Sequence, residues 1–84
     1  MAPQSGFQTN TTIHAAFWIY KPNNNTDREV MVEVNSLQFI ESTPDHNSVW
    51  LYYAAYNTTI SQQPYQLKGA AAQAFMTDME GLFA

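Results

Sequence analysis

The sequence predicts a mainly β protein, built as a small, strongly bent five-stranded barrel or sheet with one C-terminal amphipathic helix. Two observations on composition support this class: twelve of the 84 residues are aromatic, and only ten are charged. This profile favours strands and turns over a charged helical bundle. The third observation is periodicity, because most apolar segments alternate with period two and only the last has helical spacing.

The chain is predicted to form one domain, since 84 residues leave no room for a second core. Residues 1–10 are polar and include Pro3 and Gly6, which predicts a flexible N-terminal arm. Residues 11–84 then form the single small β-barrel domain. Its apolar alternation predicts strands at residues 11–20, 29–35, 37–41, 48–57 and 65–67.

The alternation slips by one position between Val34 and Leu37. Asn35 and Ser36 therefore form either a bulge in one bent strand or a break between two strands. A sharp bend of this kind allows a short sheet to curl into a barrel. At the other end of the domain, apolar residues spaced by three and one positions predict a helix over residues 70–83, with Gly69 as its cap.

Net charge and composition exclude several classes of function. The net charge of −4 disfavours a monomer that wraps nucleic acid and a protein that binds an anionic membrane surface. The sequence contains no cysteine, no visible signal peptide and no apolar run long enough to span a bilayer, so a cytoplasmic location is expected, in a cell or in an infected host cell.

Residues able to perform catalysis or bind metal are sparse. His14 and His46 are the only histidines, and no glycine-rich phosphate loop exists. We therefore expect no enzyme activity, no metal, no cofactor and no small-molecule substrate.

The aromatic residues exceed what one small copy is expected to bury. Five rings of about 200 Å² each amount to about 1,000 Å², whereas the largest apolar patch of a typical monomer covers about 300–600 Å². This surplus predicts a homo-oligomer, most simply a ring. The predicted interface residues are Trp18, Tyr20, Trp50, Tyr52 and Tyr56.

A loop rich in asparagine holds two of the three cationic residues. Asn amides can bond to base edges and the cations can bond to phosphates, so this loop is the candidate single-stranded RNA or DNA site. Its candidate residues are Lys21, Asn23, Asn24, Asn25 and Arg28. The alternative is a solvated loop in which Lys21 pairs with Asp27 and Arg28 pairs with Glu29.

Three segments carry a resemblance to a known family: residues 32–41 (VEVNSLQFIE), residues 49–53 (VWLYY) and the helix at 70–83. Together they resemble a family of short marine metagenome proteins, thought to come from cyanophages, whose fold is similar to the Sm/LSm small β-barrel. The resemblance implies a ring that binds single-stranded RNA through its loops.

The expected function is a non-catalytic, ring-forming Sm-like oligomer that binds single-stranded RNA or DNA through loops on one rim. The alternative is a structural or protein-interaction subunit, for example in phage assembly, that binds no nucleic acid.

Overall fold

The computed structural model describes residues 3–53 and 64–83, which form two three-stranded antiparallel sheets and one helix. Sheet 1 has the order β1-β2-β3 and sheet 2 the order β4-β5-β6. The elements are β1 (Gln4–Asn10), β2 (Ala15–Lys21), β3 (Val30–Glu33), β4 (Leu37–Ser42), β5 (Ser48–Tyr53), β6 (Tyr65–Lys68) and α1 (Gly69–Gly81). The mainly β class and the C-terminal helix are confirmed. The described residues contain six strands rather than five, and they form no closed barrel.

The additional strand comes from the segment that was predicted to be a flexible arm. Residues 4–10 pair with β2 over the whole length of β1, from Gln4 opposite Lys21 to Asn10 opposite Ala15. The connecting turn is closed by the Asn10 side chain, whose Oδ1 accepts hydrogen bonds from the backbone N–H groups of Thr12 at 2.9 Å and Ile13 at 3.2 Å. The arm prediction was wrong because β1 has a single large apolar residue and no alternating apolar pattern.

The slip in alternation is a break between two strands. β3 ends at Glu33, and the N–H of Ser36 donates to Glu33 Oε1 at 3.1 Å. The N–H of Leu37 donates to the carbonyl of Val34 at 3.4 Å, which closes a turn before β4 begins. A register shift follows within β4, between Leu37 and Phe39.

The core lies between the inner faces of the sheets and α1. Phe75 of α1 packs edge-on against Trp18 of β2, with ring centroids 5.0 Å apart. Trp18 is completely buried in a single copy, and Tyr20 is buried beside it. Neither residue is therefore available to a second subunit, contrary to their predicted place in an oligomer interface. The buried residues are Trp18, Tyr20, Val32, Val49, Leu51, Leu67, Ala72 and Phe75.

The helix starts directly after β6 through an unusual backbone conformation. Gly69 has φ +65°, and its N–H donates to the carbonyl of Asn47 at 2.8 Å. The N-cap is Lys68, whose side chain makes no capping hydrogen bond, so Gly69 turns the chain and is not the cap. α1 ends at Gly81, two residues earlier than predicted, and it leaves Phe83 84% exposed.

Candidate functional site

The asparagine-rich loop lies where the sequence predicts it, between β2 and β3. Asn24 organises this loop: its Oδ1 accepts hydrogen bonds from the N–H of Thr26 at 3.0 Å and the N–H of Asp27 at 2.8 Å. Its Nδ2 donates to Asp27 Oδ2 at 3.0 Å. Both polar atoms of the Asn24 side chain are thus engaged within the loop, so this residue shapes the loop instead of presenting its amide to a base.

The two cations of the loop are not held by the ion pairs of the alternative interpretation. Within residues 3–53 and 64–83 the single contact between a basic and an acidic side chain at ion-pair distance joins His46 Nδ1 and Glu80 Oε1 at 3.6 Å, and it includes neither Lys21 nor Arg28. The two cations also lie apart. Lys21 lines a groove over the outer face of β1 and β2, whereas Arg28 lines a different groove beside β6.

The groove that holds Arg28 also holds Lys68, so two of the three cations of the chain share one site. This cationic groove has a volume of about 380 Å³ and lies between the loop before β3 and the start of α1. Asp27 lines the same groove and offsets part of the positive charge. An anion in the groove would face two positive side chains and the positive end of the helix dipole.

Among the described residues, three aromatic side chains lie on the outer face of sheet 2, and we call them the aromatic face: Phe39, Trp50 and Tyr52. Phe39 pairs with Tyr52 across β4 and β5, and the two rings stack with centroids 4.2 Å apart and an angle of 7° between their planes. Phe39 is 52% exposed, and the other two rings are partly buried. Stacked, exposed rings on an open sheet offer flat apolar surfaces to a planar ligand.

The aromatic face contains two of the predicted interface residues, Trp50 and Tyr52, whereas Tyr56 lies outside the described residues. Sequence reasoning missed Phe39. Alternation alone places the side chains of Phe39 and Ile40 on different faces of β4. The register shift between Leu37 and Phe39 decides that Phe39 pairs with Tyr52.

One carboxylate lies on the aromatic face. Glu41 is opposite Trp50, and hydrogen bonding to the Glu41 carboxylate raises the pKa of the Tyr52 hydroxyl above its ordinary value of 10.0. Gln66 flanks Trp50 on its other side and also lines the cationic groove. β6 therefore connects the aromatic face to the cationic groove.

The described part of the chain was also compared with the requirements of a metal site and of a membrane-spanning helix. No cluster of three histidine or carboxylate residues there is arranged to hold a metal ion. None of its helical structure has the length and hydrophobicity that a bilayer-spanning helix needs.

Comparisons with protein-family models, with curated proteins and with solved structures find no match for this chain. The resemblance to Sm-like proteins therefore remains a prediction.

Proposed function

We propose that this chain is a non-catalytic, self-associating protein that binds single-stranded nucleic acid on its aromatic face. The observation that carries the proposal is the stacked pair of Phe39 and Tyr52 beside Trp50 on an open sheet. Each base stacked on an aromatic side chain contributes about 1–3 kcal/mol of binding free energy, with little dependence on sequence. A duplex keeps its bases stacked on each other, so it cannot use this surface in the same way.

The phosphates of the bound strand would lie in the cationic groove. Arg28 and Lys68 line it, and Gln66 joins it to the ring of Trp50. In this arrangement Asn23 and Asn25 lie on the same exposed loop as Arg28, whereas Lys21 faces the outer side of sheet 1. The three cations thus differ in role although each carries one positive charge.

The net charge of −4 opposes binding by one copy alone. Self-association can offset this repulsion locally, because an oligomer repeats Arg28 and Lys68 and can concentrate their positive charge along one rim. The Sm-like ring expected from the sequence is one such assembly. It would require the two sheets to close further into a barrel around the break at residues 34–36.

The rival function is a structural or protein-interaction subunit that binds no nucleic acid. Glu41 favours this rival, because its carboxylate lies on the aromatic face and repels phosphate. In that case Trp50 and Tyr52 contact another protein surface, as predicted for an oligomer interface.

A titration with a labelled single-stranded oligonucleotide of mixed sequence at low salt distinguishes the two functions. We expect Phe39→Ala to weaken binding about five- to 150-fold, the range that corresponds to one stacked base. Tyr52→Phe keeps the ring and is the matched control, with affinity close to that of the parent protein. If the parent protein does not bind at low salt, the rival function replaces the proposal.

The salt dependence of the same titration locates the phosphates. Each phosphate neutralised on a single strand contributes about 0.7 to the slope of log affinity against log salt. We expect Arg28→Ala and Lys68→Ala each to reduce the slope by about that amount, and Lys21→Ala to leave it unchanged. A reduction with Lys21→Ala alone would place the phosphates on the outer side of sheet 1.

A further inference from the structure

The edge strands of the two sheets differ in how well they are protected against pairing with another chain. Natural proteins protect edges with charged residues, proline, bulges or short strands. β3 has four residues and contains Glu33; β4 contains Glu41 and a register shift; β6 has four residues, contains Lys68 and follows Pro64. Among the edges that the structure describes, these three therefore carry protection.

β1 is the longest of the four described edge strands, and the one device it shares with the others is a proline directly before it, Pro3. Its sequence QSGFQTN spans seven residues without a charge or a proline, and its register with β2 is continuous. Among the described strands β1 pairs only with β2, so no described strand occupies its other edge. Such an edge is a template for one more strand.

We propose that β1 pairs with β1 of a second copy, antiparallel, around a two-fold axis at Phe7. Phe7 is the central residue of β1, so the two strands overlap over their whole length. The pairing joins the two three-stranded copies of sheet 1 into one continuous sheet of six strands. The proposal rests on the self-association in the proposed function and names the surface that achieves it.

Charge and side-chain chemistry favour a second copy as the occupant of this edge. In the two-fold register Gln4 faces Asn10 of the second copy, Ser5 faces Thr9, Gly6 faces Gln8, and Phe7 faces its own counterpart. Each facing pair is uncharged, and the polar pairs can exchange hydrogen bonds across the strands. Because each copy carries −4, an uncharged contact is where two copies can approach with the least repulsion.

An apolar groove beside β1 adds to the same surface. It has a volume of about 350 Å³, and its lining is uncharged and includes Phe7, Val34, Leu37, Phe39, Met79 and Leu82. Leu82 is 62% exposed in the single copy. The pairing places the Phe7 ring of the second copy next to this groove, where it removes apolar surface from water.

The proposed contact is isologous, with the same strand on both sides, and it produces a dimer. A ring built head to tail requires two different edges to meet. The mass of the assembly in solution therefore separates the two arrangements.

Charge substitutions at one facing pair test the register itself. Ser5 and Thr9 are both exposed, so the fold tolerates their replacement. In the double variant Ser5→Lys, Thr9→Lys, two lysines face each other twice across the axis, and we expect a monomer. In the matched double variant Ser5→Lys, Thr9→Glu, each lysine faces a glutamate of the second copy, and we expect the dimer to persist.

Light scattering on the full chain over a range of concentrations measures the outcome, with circular dichroism to show that each variant is folded. The expected result is a dimeric parent protein, a monomeric Lys/Lys variant and a dimeric Lys/Glu variant. The inference is overturned if the parent protein is a monomer, if it is a larger ring that the Lys/Lys variant leaves intact, or if both double variants behave alike. The oligonucleotide titration on the parent protein reports separately on nucleic-acid binding. A monomeric parent protein would overturn the self-association in both proposals, whereas an assembly that the Lys/Lys variant leaves intact would overturn the β1 contact alone.

Discussion

The indole Nε1–H of Trp18 donates a hydrogen bond of 2.8 Å to Asp78 Oδ2, and so joins β2 to α1 across 60 residues of sequence. The sequence predicts that Trp18 is exposed in a single copy, and this bond explains how it can instead be fully buried there. A buried indole needs a partner for its N–H, and the helix supplies one. The bond therefore helps to hold α1 on sheet 1.

Removal of the Asp78 carboxylate is therefore expected to destabilise the fold. Asp78→Ala leaves the buried N–H of Trp18 without an acceptor, which costs about 1–3 kcal/mol of unfolding free energy. Asp78→Asn keeps an acceptor oxygen and is expected to cost less. Urea denaturation of the two variants measures the difference, and equal stability of Asp78→Ala and the parent protein would contradict the role of this bond.

The two glycines at the ends of α1 are expected to respond in opposite directions to alanine. Gly69 has φ +65°, so Gly69→Ala forces a side chain into the left-handed region at about 1–2 kcal/mol. Gly81 lies in the last turn without a positive φ and with open space around it, so Gly81→Ala is expected to stabilise by up to about 1 kcal/mol. Thermal unfolding checks both, and a stabilised Gly69→Ala would show that the strand-to-helix turn adopts another conformation.

Alkaline pH is expected to destabilise the fold through Tyr53. Burial raises the pKa of the Tyr53 hydroxyl above 10.0, and the charges of Glu33 and Tyr65 add to the increase. A pKa that is higher in the folded state favours the neutral hydroxyl there, so this contribution to stability is complete below pH 10.0 and is lost as pH rises through the folded pKa. Urea midpoints measured from neutral to alkaline pH test this, with Tyr53→Phe expected to lose less stability over the same range.

Glu41 is expected to limit binding at the aromatic face. Glu41→Gln removes a negative charge opposite Trp50, so we expect tighter oligonucleotide binding at low salt. Glu80→Gln makes the same change of net charge on α1 and is the matched control, with a smaller effect expected. Equal effects of the two variants would mean that only total charge matters and that the strand does not lie beside Glu41.

Glu41→Gln is also expected to change the titration of the Tyr52 hydroxyl. Because hydrogen bonding to Glu41 raises the pKa of Tyr52, we expect Glu41→Gln to lower that pKa towards 10.0. The ultraviolet absorbance of tyrosinate follows this titration, with Tyr52→Phe used to assign the signal. An unchanged profile would mean that the hydroxyl does not bond to Glu41 in solution.

Much of the fold could be predicted from local patterns in the sequence. Alternation located β3, β4, the start of β5 and β6, and the spacing of Phe75, Met76 and Met79 located the helix. The pattern failed at β1, whose single large apolar residue produces no periodic signal. It also could not decide which side of β2 faces inward, because Trp18 and Tyr20 alternate with the equally apolar Phe17 and Ile19.

In the candidate site, too, local patterns in the sequence predicted some features, and long-range packing determined the others. The loop that holds Arg28 was predicted, because proline, asparagine and aspartate interrupt a strand. Its proximity to Lys68 was not, since that proximity depends on how β6 and α1 pack against sheet 1. The pairing of Phe39 with Tyr52 also depends on long-range register, which a shift inside β4 resets.

Tryptophan fluorescence during titration with a single-stranded oligonucleotide reports whether the bound strand lies against the aromatic face. Trp18 is fully buried, and Trp50 lies on the aromatic face, so a Trp18→Phe background isolates the signal of Trp50. We expect the oligonucleotide to quench the fluorescence of Trp50 in step with binding, and we expect Phe39→Ala to shift the quenching curve to higher concentration. Binding detected by a label on the oligonucleotide with no change in Trp50 emission, or no binding at low salt, would contradict the claim that the aromatic face holds the strand.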